Sequence, residues 1–206
     1  MTTATDSSYS LPMNPVASLC VYCGSAVGFA PRYRDAARRL GQSMAENGIR
    51  LVYGGGGVGL MGIVADAVLA GGGSVVGVIP DFLESREVGH RGLSELRVVD
   101  SMHARKSLMV ELSDAFAVLP GGLGTLDETF EILTWRQLRL HDKPIVLIDL
   151  DGYWGPLLRL VEHVVAEGFA RADCVRLFTV VERVEDAIAA LRRAPEPAIE
   201  DVPERL

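Results

Sequence analysis

The sequence predicts a single α/β domain with a Rossmann-like, doubly wound parallel sheet and helices on both faces of the sheet. Short apolar runs alternate with stretches of helical periodicity along most of the chain, which is the pattern of strands joined by right-handed helical crossovers. Several of the runs are continuously apolar and rich in Val and Ile, as parallel strands covered on both faces are. A chain of 206 residues that is 49% hydrophobic and 23% charged also suits one domain with a full core.

The elements can be placed in chain order. The predicted strands are VASLCVY (16–22), IRLVY (49–53), SVVGVIP (74–80), LRVV (96–99), AFAVLP (115–120) and PIVLIDL (144–150). The predicted helices lie at about 31–47, 58–71, 102–113, 124–140, 153–167 and 184–193. We expect one Rossmann-like domain over 16–194, a disordered N-terminal tail over 1–15 and a C-terminal tail over 195–206.

Charge and cysteine content exclude several classes of function. A net charge of −7 disfavours a nucleic-acid or anionic membrane surface but is compatible with a small anionic ligand. Three cysteines cannot make a disulfide framework, which favours the reducing cytoplasm. Cys20 and Cys23 are spaced so that a strand would direct them to opposite faces, and no zinc spacing exists. We predict no metal, no secretory signal and no apolar run of the roughly 20 residues that a membrane span needs.

Ligands of a doubly wound sheet bind beyond the carboxyl ends of its strands, so the candidate binding residues lie in the turns that follow the strands. In CGSAVG (23–28), Ser25 could receive a phosphate or a ribose, or simply cap a tight turn. YGGGGVGLMG (53–62) contains a literal GxGxxG, the dinucleotide spacing. It follows the second strand rather than the first, and its candidate acid Asp81 lies in a loop beyond Pro80. Close approach of backbone to a ligand or to a helix is the simpler interpretation of these glycines.

DSMHARKSLMV (100–110) places a cation in an apolar environment. On a helix, Arg105 shares a face with Leu108, Met109 and Leu112. A buried guanidinium needs an anionic partner, either in a structural ion pair or in a ligand. His103 is predicted to be a surface or capping histidine.

LPGGLGTLDETFEILTW (119–135) joins a strand to a helix through glycines. The helix N-terminus and the exposed N–H groups of the turn form a ready anion site. Thr125 and Glu128 also match the T-x-x-E capping box, in which Glu128 would bond back to the threonine N–H. From the residues alone, Glu128 can be a cap or a catalytic carboxylate.

Together these segments resemble a known family. CVYCGS, LVYGGG with GLMG, GVIP, SMHARK, SDAF, LPGGLGTLDE, TWRQL and KPIVLI are similar to motifs of the LONELY GUY family of cytokinin-activating phosphoribohydrolases. The resemblance runs from about Ser18 to Phe169 and includes the specific PGGxGTxxE motif at Pro120 to Glu128. It implies hydrolysis of the N-glycosidic bond of prenylated adenosine 5′-monophosphate, and of AMP, without a cofactor. Members have been labelled lysine decarboxylases, but Lys106 and Lys143 are the only lysines and neither lies in a cofactor motif.

The resemblance also assigns residues. It makes Arg105 and Glu128 the catalytic pair, with Arg105 either keeping Glu128 ionised or assisting the departing base and the ribose hydroxyls. The predicted substrate-binding residues are Ser25, Gly55, Gly56, Glu87, Met102, Lys106, Gly121, Gly122, Leu123, Gly124, Thr125, Leu126, Asp127 and Thr134, with Met102 in an apolar subpocket for the prenyl group.

Members assemble as dimers or larger oligomers with sites near the subunit interface. We expect a homodimer, because the helix after Thr125 is apolar on two sides: Phe130 and Leu133 on one, Ile132 and Trp135 on the other. Two rival hypotheses are a nucleotide carrier without turnover and an NAD-dependent enzyme.

Overall fold

The computed structural model describes residues 15–84, 89–90 and 92–193, and within them it forms a seven-stranded, all-parallel sheet. The predicted tails lie outside the described residues apart from Pro15, and Glu87 lies outside them as well. The strands are β1 (Ser18–Tyr22), β2 (Arg50–Tyr53), β3 (Val75–Pro80), β4 (Glu95–Val99), β5 (Ala115–Val118), β6 (Ile145–Ile148) and β7 (Thr179–Val181). The predicted fold class is confirmed.

The helices are α1 (Pro31–Glu46), α2 (Gly59–Ala70), α3 (Asp81–Glu84), α4 (Met102–Glu111), α5 (Leu123–Gln137), α6 (Gly155–Ala166) and α7 (Ala187–Arg193). Asp81 begins the short helix α3, so the prediction that it lies in a loop is wrong. The predicted helix over 184–193 divides into a 3₁₀ turn, Val184–Asp186, followed by α7. β7 was not predicted at all.

Alternating side chains of the strands enter two separate cores. In β1, Leu19 and Val21 pack with α1, α2 and α7 on one face, while Cys20 and Tyr22 pack with α4, α5 and α6 on the other. Cys23 belongs to the first core and Cys20 to the second, so the prediction that they point to opposite faces is confirmed. Because α4 and α5 cover the same face, the fold brings the helix of Arg105 beside the helix of Glu128.

The strand order β4-β3-β2-β1-β5-β6-β7 creates a switch point between β1 and β5. From β1 the chain continues through α1 to β2 on one side, and from β5 it continues through α5 to β6 on the other. The two turns therefore diverge and leave a crevice at the carboxyl ends of the central strands, where such folds bind ligands. The Gly24 N–H donates to the Pro120 carbonyl at 3.1 Å and fixes the two turns relative to each other.

Candidate active site

A cavity of about 270 Å³ opens at the switch point between the turns that follow β1 and β5. It is lined by Ser25 from the first turn and by Gly121 and Gly122 from the second, so three of the predicted binding residues come together. Tyr33 of α1 and Tyr153 of the turn after β6 complete its wall, and sequence analysis missed both of them. A cavity of this size accommodates a phosphate and part of a sugar.

The N-terminus of α5 faces this crevice without a side-chain cap. Gly122 is the N-cap residue and Thr125 the third residue of the helix, buried to 3% exposure. The capping-box interpretation of Thr125 and Glu128 is therefore wrong, because the box requires the threonine at the N-cap and the glutamate at the third position. The N–H groups of the first helical turn are left to bind an anion.

Gly121 cannot be replaced by a larger residue without moving the start of α5. A Cβ at Gly121 would lie 2.1 Å from the Thr125 hydroxyl oxygen and 2.9 Å from the Gly24 backbone nitrogen. No heavy atom lies within 4 Å of a Cβ built at Gly122 or at Gly124. Gly121 therefore allows tight packing of the turn. At Gly122 and Gly124 there is open space for a ligand or a side chain.

Arg105 is buried to 5% exposure on α4. Its Nη2 donates to the Gly54 carbonyl at 3.1 Å, and its Nη1 lies 3.8 Å from the Met102 sulfur. Its Nε is buried and makes no hydrogen bond to any described residue. Gly55 and Gly56 of the turn after β2 were the predicted binding residues, but Gly54 is the residue that contacts the guanidinium.

Arg105 and Glu128 do not line the cavity at the switch point, but both act electrostatically on the buried Cys20 of β1. Burial raises the pKa of the Cys20 thiol on β1; the carboxylate of Glu128 raises it further, and the guanidinium of Arg105 opposes the rise. Burial likewise raises the pKa of Tyr22, and Glu128 adds to that effect. The two predicted catalytic groups therefore lie within electrostatic reach of the same buried thiol.

Lys106 joins α4 to α5. Its ammonium nitrogen lies 3.0 Å from an Asp127 carboxylate oxygen and 3.3 Å from one of Glu131, and its side chain is 14% exposed. Burial lowers the pKa of Lys106, but the hydrogen bonds and charges of Asp127 and Glu131 outweigh burial and raise it overall. This bridge holds the helix of Arg105 against the helix of Glu128.

The glycines of the GxGxxG spacing serve the packing of turns. A Cβ at Gly59, where φ is +66°, would lie 2.2 Å from the Ser25 carbonyl carbon. A Cβ at Gly62 would lie 2.4 Å from the Gly57 carbonyl oxygen. The interpretation as close backbone approach is confirmed, and the spacing is explained without a dinucleotide.

Comparison with known proteins adds the family. The family model described as "Possible lysine decarboxylase" matches residues 61–191. A cytokinin riboside 5′-monophosphate phosphoribohydrolase of Rhodococcoides fascians is 49% identical over 85% of this chain and 89% of its own length. One of Arabidopsis thaliana is 42% identical over 91% of this chain and 86% of its own. The chain belongs to the LOG family of cytokinin riboside 5′-monophosphate phosphoribohydrolases.

Solved structures support the fold of this LOG family member. The molybdenum cofactor carrier protein from Chlamydomonas reinhardtii superposes with a TM-score of 0.65 at 21% identity, covering 86% of this chain and 96% of the carrier. At that identity the likeness concerns the fold alone.

The lysines of this LOG family member do not suit the decarboxylase description of the family model. Lys106 has a raised pKa and two carboxylate partners, so it carries a proton rather than a free nucleophilic amine. Lys143 donates to the Val110 carbonyl at 2.7 Å, at the start of β6 and away from the carboxyl ends of the strands.

Other predicted substrate-binding residues lie along α5, outside the lining of the cavity. Leu123 is 85% exposed at the start of α5, and Gly124 and Leu126 follow in the same turn. Thr134 lines a separate apolar groove of about 190 Å³ between α5 and α6, roughly 18 Å along the helix from Gly122. Its contact with substrate stays a prediction. His103 is exposed, as predicted.

Two further observations concern the described residues only. They contain no group of three or more metal-binding side chains arranged around one point. No helix among them is both long and apolar enough to cross a bilayer.

Proposed function

We propose that this LOG family member hydrolyses the N-glycosidic bond of prenylated adenosine 5′-monophosphates, and also of AMP, to free base and ribose 5-phosphate. The observation that carries the proposal is the cavity at the switch point, which meets an uncapped helix N-terminus. An anion held there lies close to the helix that carries Glu128. The identity of 42–49% to phosphoribohydrolases supports the substrate class.

The chemistry assigned to Glu128 follows from the charge that develops in the reaction. When the bond between the base and C1′ breaks, positive charge forms on the ribose ring. The Glu128 carboxylate stabilises that charge and takes a proton from the attacking water, whose oxygen bonds to C1′. The electron pair of the broken bond leaves with the base, which takes up a proton, and the proton that Glu128 removed from water balances it and restores the carboxylate.

We assign Arg105 to the ionisation of Glu128. Both groups act on the buried Cys20 thiol and so lie around one region of the interior, and a guanidinium near a carboxylate favours its charged form. The Lys106 bridge supports it as well, since it fixes the separation of the two helices. Met102, in contact with Arg105, contributes to an apolar subpocket for the prenyl group.

Phosphate binding supplies the energy that positions the reacting bond. The first turn of α5 and the glycines before it hold the 5′-phosphate, a group that takes no part in bond cleavage. We therefore expect far weaker activity on the unphosphorylated riboside.

We further infer a cytoplasmic homodimer. The three cysteines are free and buried, which suits a reducing compartment. In the groove between α5 and α6, Phe130 is 40% exposed and Leu160 is 48% exposed, and we place the partner subunit there.

One assay tests the function. The protein is incubated with prenylated adenosine monophosphate, with AMP and with the prenylated riboside, and the released base is quantified by chromatography. We expect release from both monophosphates. Equal rates on the riboside would refute the phosphate anchor. Binding of nucleotide without base release would indicate a carrier, and saturable NADH binding would indicate an NAD-dependent enzyme.

A matched pair of variants tests the role of Glu128. Glu128→Gln keeps the shape of the side chain but removes the charge, and we expect kcat to fall by about 10²- to 10⁴-fold. Glu162→Gln makes the same chemical change on the exposed side of α6 and serves as the control. Full activity in Glu128→Gln would remove Glu128 from catalysis.

A further inference from the structure

We propose that Tyr153 is a positioning residue that orients the Gly121 peptide for phosphate binding. Tyr153 lies outside the glycine-rich motif, in the turn that follows β6. Its hydroxyl donates to the Gly121 carbonyl oxygen at 2.5 Å, and both residues line the cavity at the switch point. The inference rests on the proposed function, since it concerns the phosphate of that substrate.

A phosphate cavity bordered by a carbonyl oxygen has an electrostatic problem. The oxygen carries partial negative charge and repels a dianion, whereas the N–H groups of the same turn attract it. The Tyr153 hydroxyl donates its hydrogen to the Gly121 carbonyl oxygen and offsets part of the negative charge on that oxygen. Because a trans peptide directs its C=O and N–H in opposite directions, fixing the Gly121 carbonyl also fixes the Gly122 N–H.

The peptide needs this external support because it joins two glycines. Gly121 and Gly122 lack the side chains that restrict rotation of the backbone. The Pro120 carbonyl, one peptide earlier, is already held by the Gly24 N–H at 3.1 Å. The next peptide is held by Tyr153, so consecutive carbonyls of the turn are anchored from two different elements.

Tyr153 is itself held in place by aromatic neighbours. Its ring packs edge-on against Trp154, with 4.9 Å between centroids, and against Tyr33, with 5.7 Å between centroids. The Trp154 side chain is buried to 3% exposure, and its backbone N–H donates to the Asp149 carboxylate at 2.6 Å. The hydroxyl of Tyr153 is thus preorganised, so little entropy is lost when it holds the turn.

A second contact ties the same turn to α1. The Arg32 guanidinium forms an ion pair with Asp151 at 3.0 Å and lies over the ring of Tyr33, 4.9 Å from its centroid. Both charged side chains are largely exposed, so the pair contributes little to stability. Its effect is geometric: it keeps Tyr33 and the turn of Tyr153 together at the outer wall of the cavity.

The test is Tyr153→Phe, which removes one oxygen and keeps the ring. We expect KM for the nucleoside monophosphate to rise about tenfold, which corresponds to the loss of one hydrogen bond. We expect kcat to stay within about twofold, because the phosphate still binds in the variant and holds the reacting bond once the complex has formed. Activity on the unphosphorylated riboside should not change.

Tyr53→Phe is the matched control, since the Tyr53 hydroxyl is buried and makes no hydrogen bond to a described residue. It removes the same atom away from the cavity, and we expect an unchanged KM.

Binding of ribose 5-phosphate, measured by calorimetry, separates this inference from the proposed function. The affinity of Tyr153→Phe for ribose 5-phosphate should fall in parallel with the rise of KM. Wild-type affinity in the variant, or a fall of kcat at constant KM, would overturn the role of Tyr153 even in an active enzyme. Absence of base release by the wild-type protein would instead refute the proposed function, and the calorimetric comparison would still decide the role of Tyr153.

Discussion

Gly54 shows how one missing side chain makes room for a buried cation. A Cβ at this position would lie 2.0 Å from Nη2 of Arg105 and 3.1 Å from its Cζ. The guanidinium is nearly fully buried, yet its Nε has no hydrogen bond to a described residue. Burying a cation with incomplete hydrogen bonding is costly, so a chain that keeps Arg105 there has a reason beyond stability.

Gly54→Ala should therefore damage catalysis through the position of Arg105. The methyl group must displace the guanidinium, and a misplacement of about 1 Å can reduce activity roughly 100-fold. Steady-state kinetics on the monophosphate measure the loss. Gly155→Ala is the control, because its Cβ would meet only the flexible end of Arg159, at 3.3 Å. Unchanged kcat in Gly54→Ala would contradict the placement of Arg105.

His141 gives a prediction for stability against pH. Burial lowers its pKa, and the charges of Arg136 and Lys143 add to the effect, although its bond to the Ile132 carbonyl opposes it. The unfolded chain therefore binds a proton at His141 more readily than the folded chain. The contribution of His141 is fully present above the unfolded pKa of 6.5 and is lost as the pH falls below it.

Urea denaturation at pH 7.5 and pH 5.5 measures this effect. We expect His141→Gln to lose less unfolding free energy than the wild type between the two pH values. His103→Gln removes an exposed histidine and serves as the control for the loss of one imidazole. An identical loss in wild type and His141→Gln would exclude His141 as a source of acid sensitivity.

At the scale of elements, α5 trades stability for binding. A serine or aspartate at its N-cap would satisfy the first-turn N–H groups, but Gly122 provides no side chain. α4, by contrast, has Ser101 at its N-cap, and the Ser101 hydroxyl accepts a hydrogen bond from the Ala104 N–H at 3.1 Å. α1, α2 and α6 also lack a side-chain cap, so the binding role of α5 rests on the position of its N-cap residue Gly122 at the cavity.

Gly122→Asp tests this trade. The backbone there has φ of −94°, and no atom lies within 4 Å of a new Cβ, so the side chain fits. We expect a gain of about 0.5–1 kcal/mol in unfolding free energy from the cap and its charge. We expect KM for the monophosphate to rise at least about tenfold, because the carboxylate competes with the phosphate and repels it. Gly122→Ser separates capping from charge, and a wild-type KM in Gly122→Asp would place the phosphate elsewhere.

The same scale shows what sequence patterns can predict. Six strands were predicted because short apolar runs rich in β-branched residues, such as VVGVIP, are typical of strands in a parallel sheet. β7 was missed because Thr179–Val181 is three residues long, and its first two residues are exposed. α3 was missed because four residues carry no helical period.

Some residues of the candidate site could likewise be predicted from the sequence, and others could not. Ser25, Gly121 and Gly122 were predicted because glycine-rich turns after strands carry a local signal. Tyr33 and Tyr153 were not predicted, because a tyrosine in or before a helix has the sequence pattern of an ordinary core residue. The available signal for Tyr153 was its place in the turn after β6, on the side of the sheet where the parallel strands end.

At the scale of the whole molecule, α5 connects three surfaces. Its first turn borders the cavity, its middle carries Glu128, and Phe130 opens onto the groove shared with α6. The two apolar sides of α5 were predicted to provide a partner surface as well as a core: Ile132 is fully buried in the core at 0% exposure, whereas Phe130 remains at the surface at 40% exposure. Phe130 lies two residues beyond Glu128, about 200° around the helix, so a subunit seated on this groove would act on Glu128 through the shared helix α5 rather than by direct contact.

Phe130→Glu should therefore affect assembly and activity together. A charge placed in the groove opposes burial of the apolar surface, whose removal from water contributes about 25 cal/mol per Å². We expect sedimentation velocity to show a dimer for the wild type and a monomer for Phe130→Glu, with a lower kcat/KM in the monomer. Val98→Glu, at an exposed residue of β4 on the opposite edge of the sheet, should stay dimeric. A dimeric Phe130→Glu with wild-type activity would place the subunit interface on another face of the molecule.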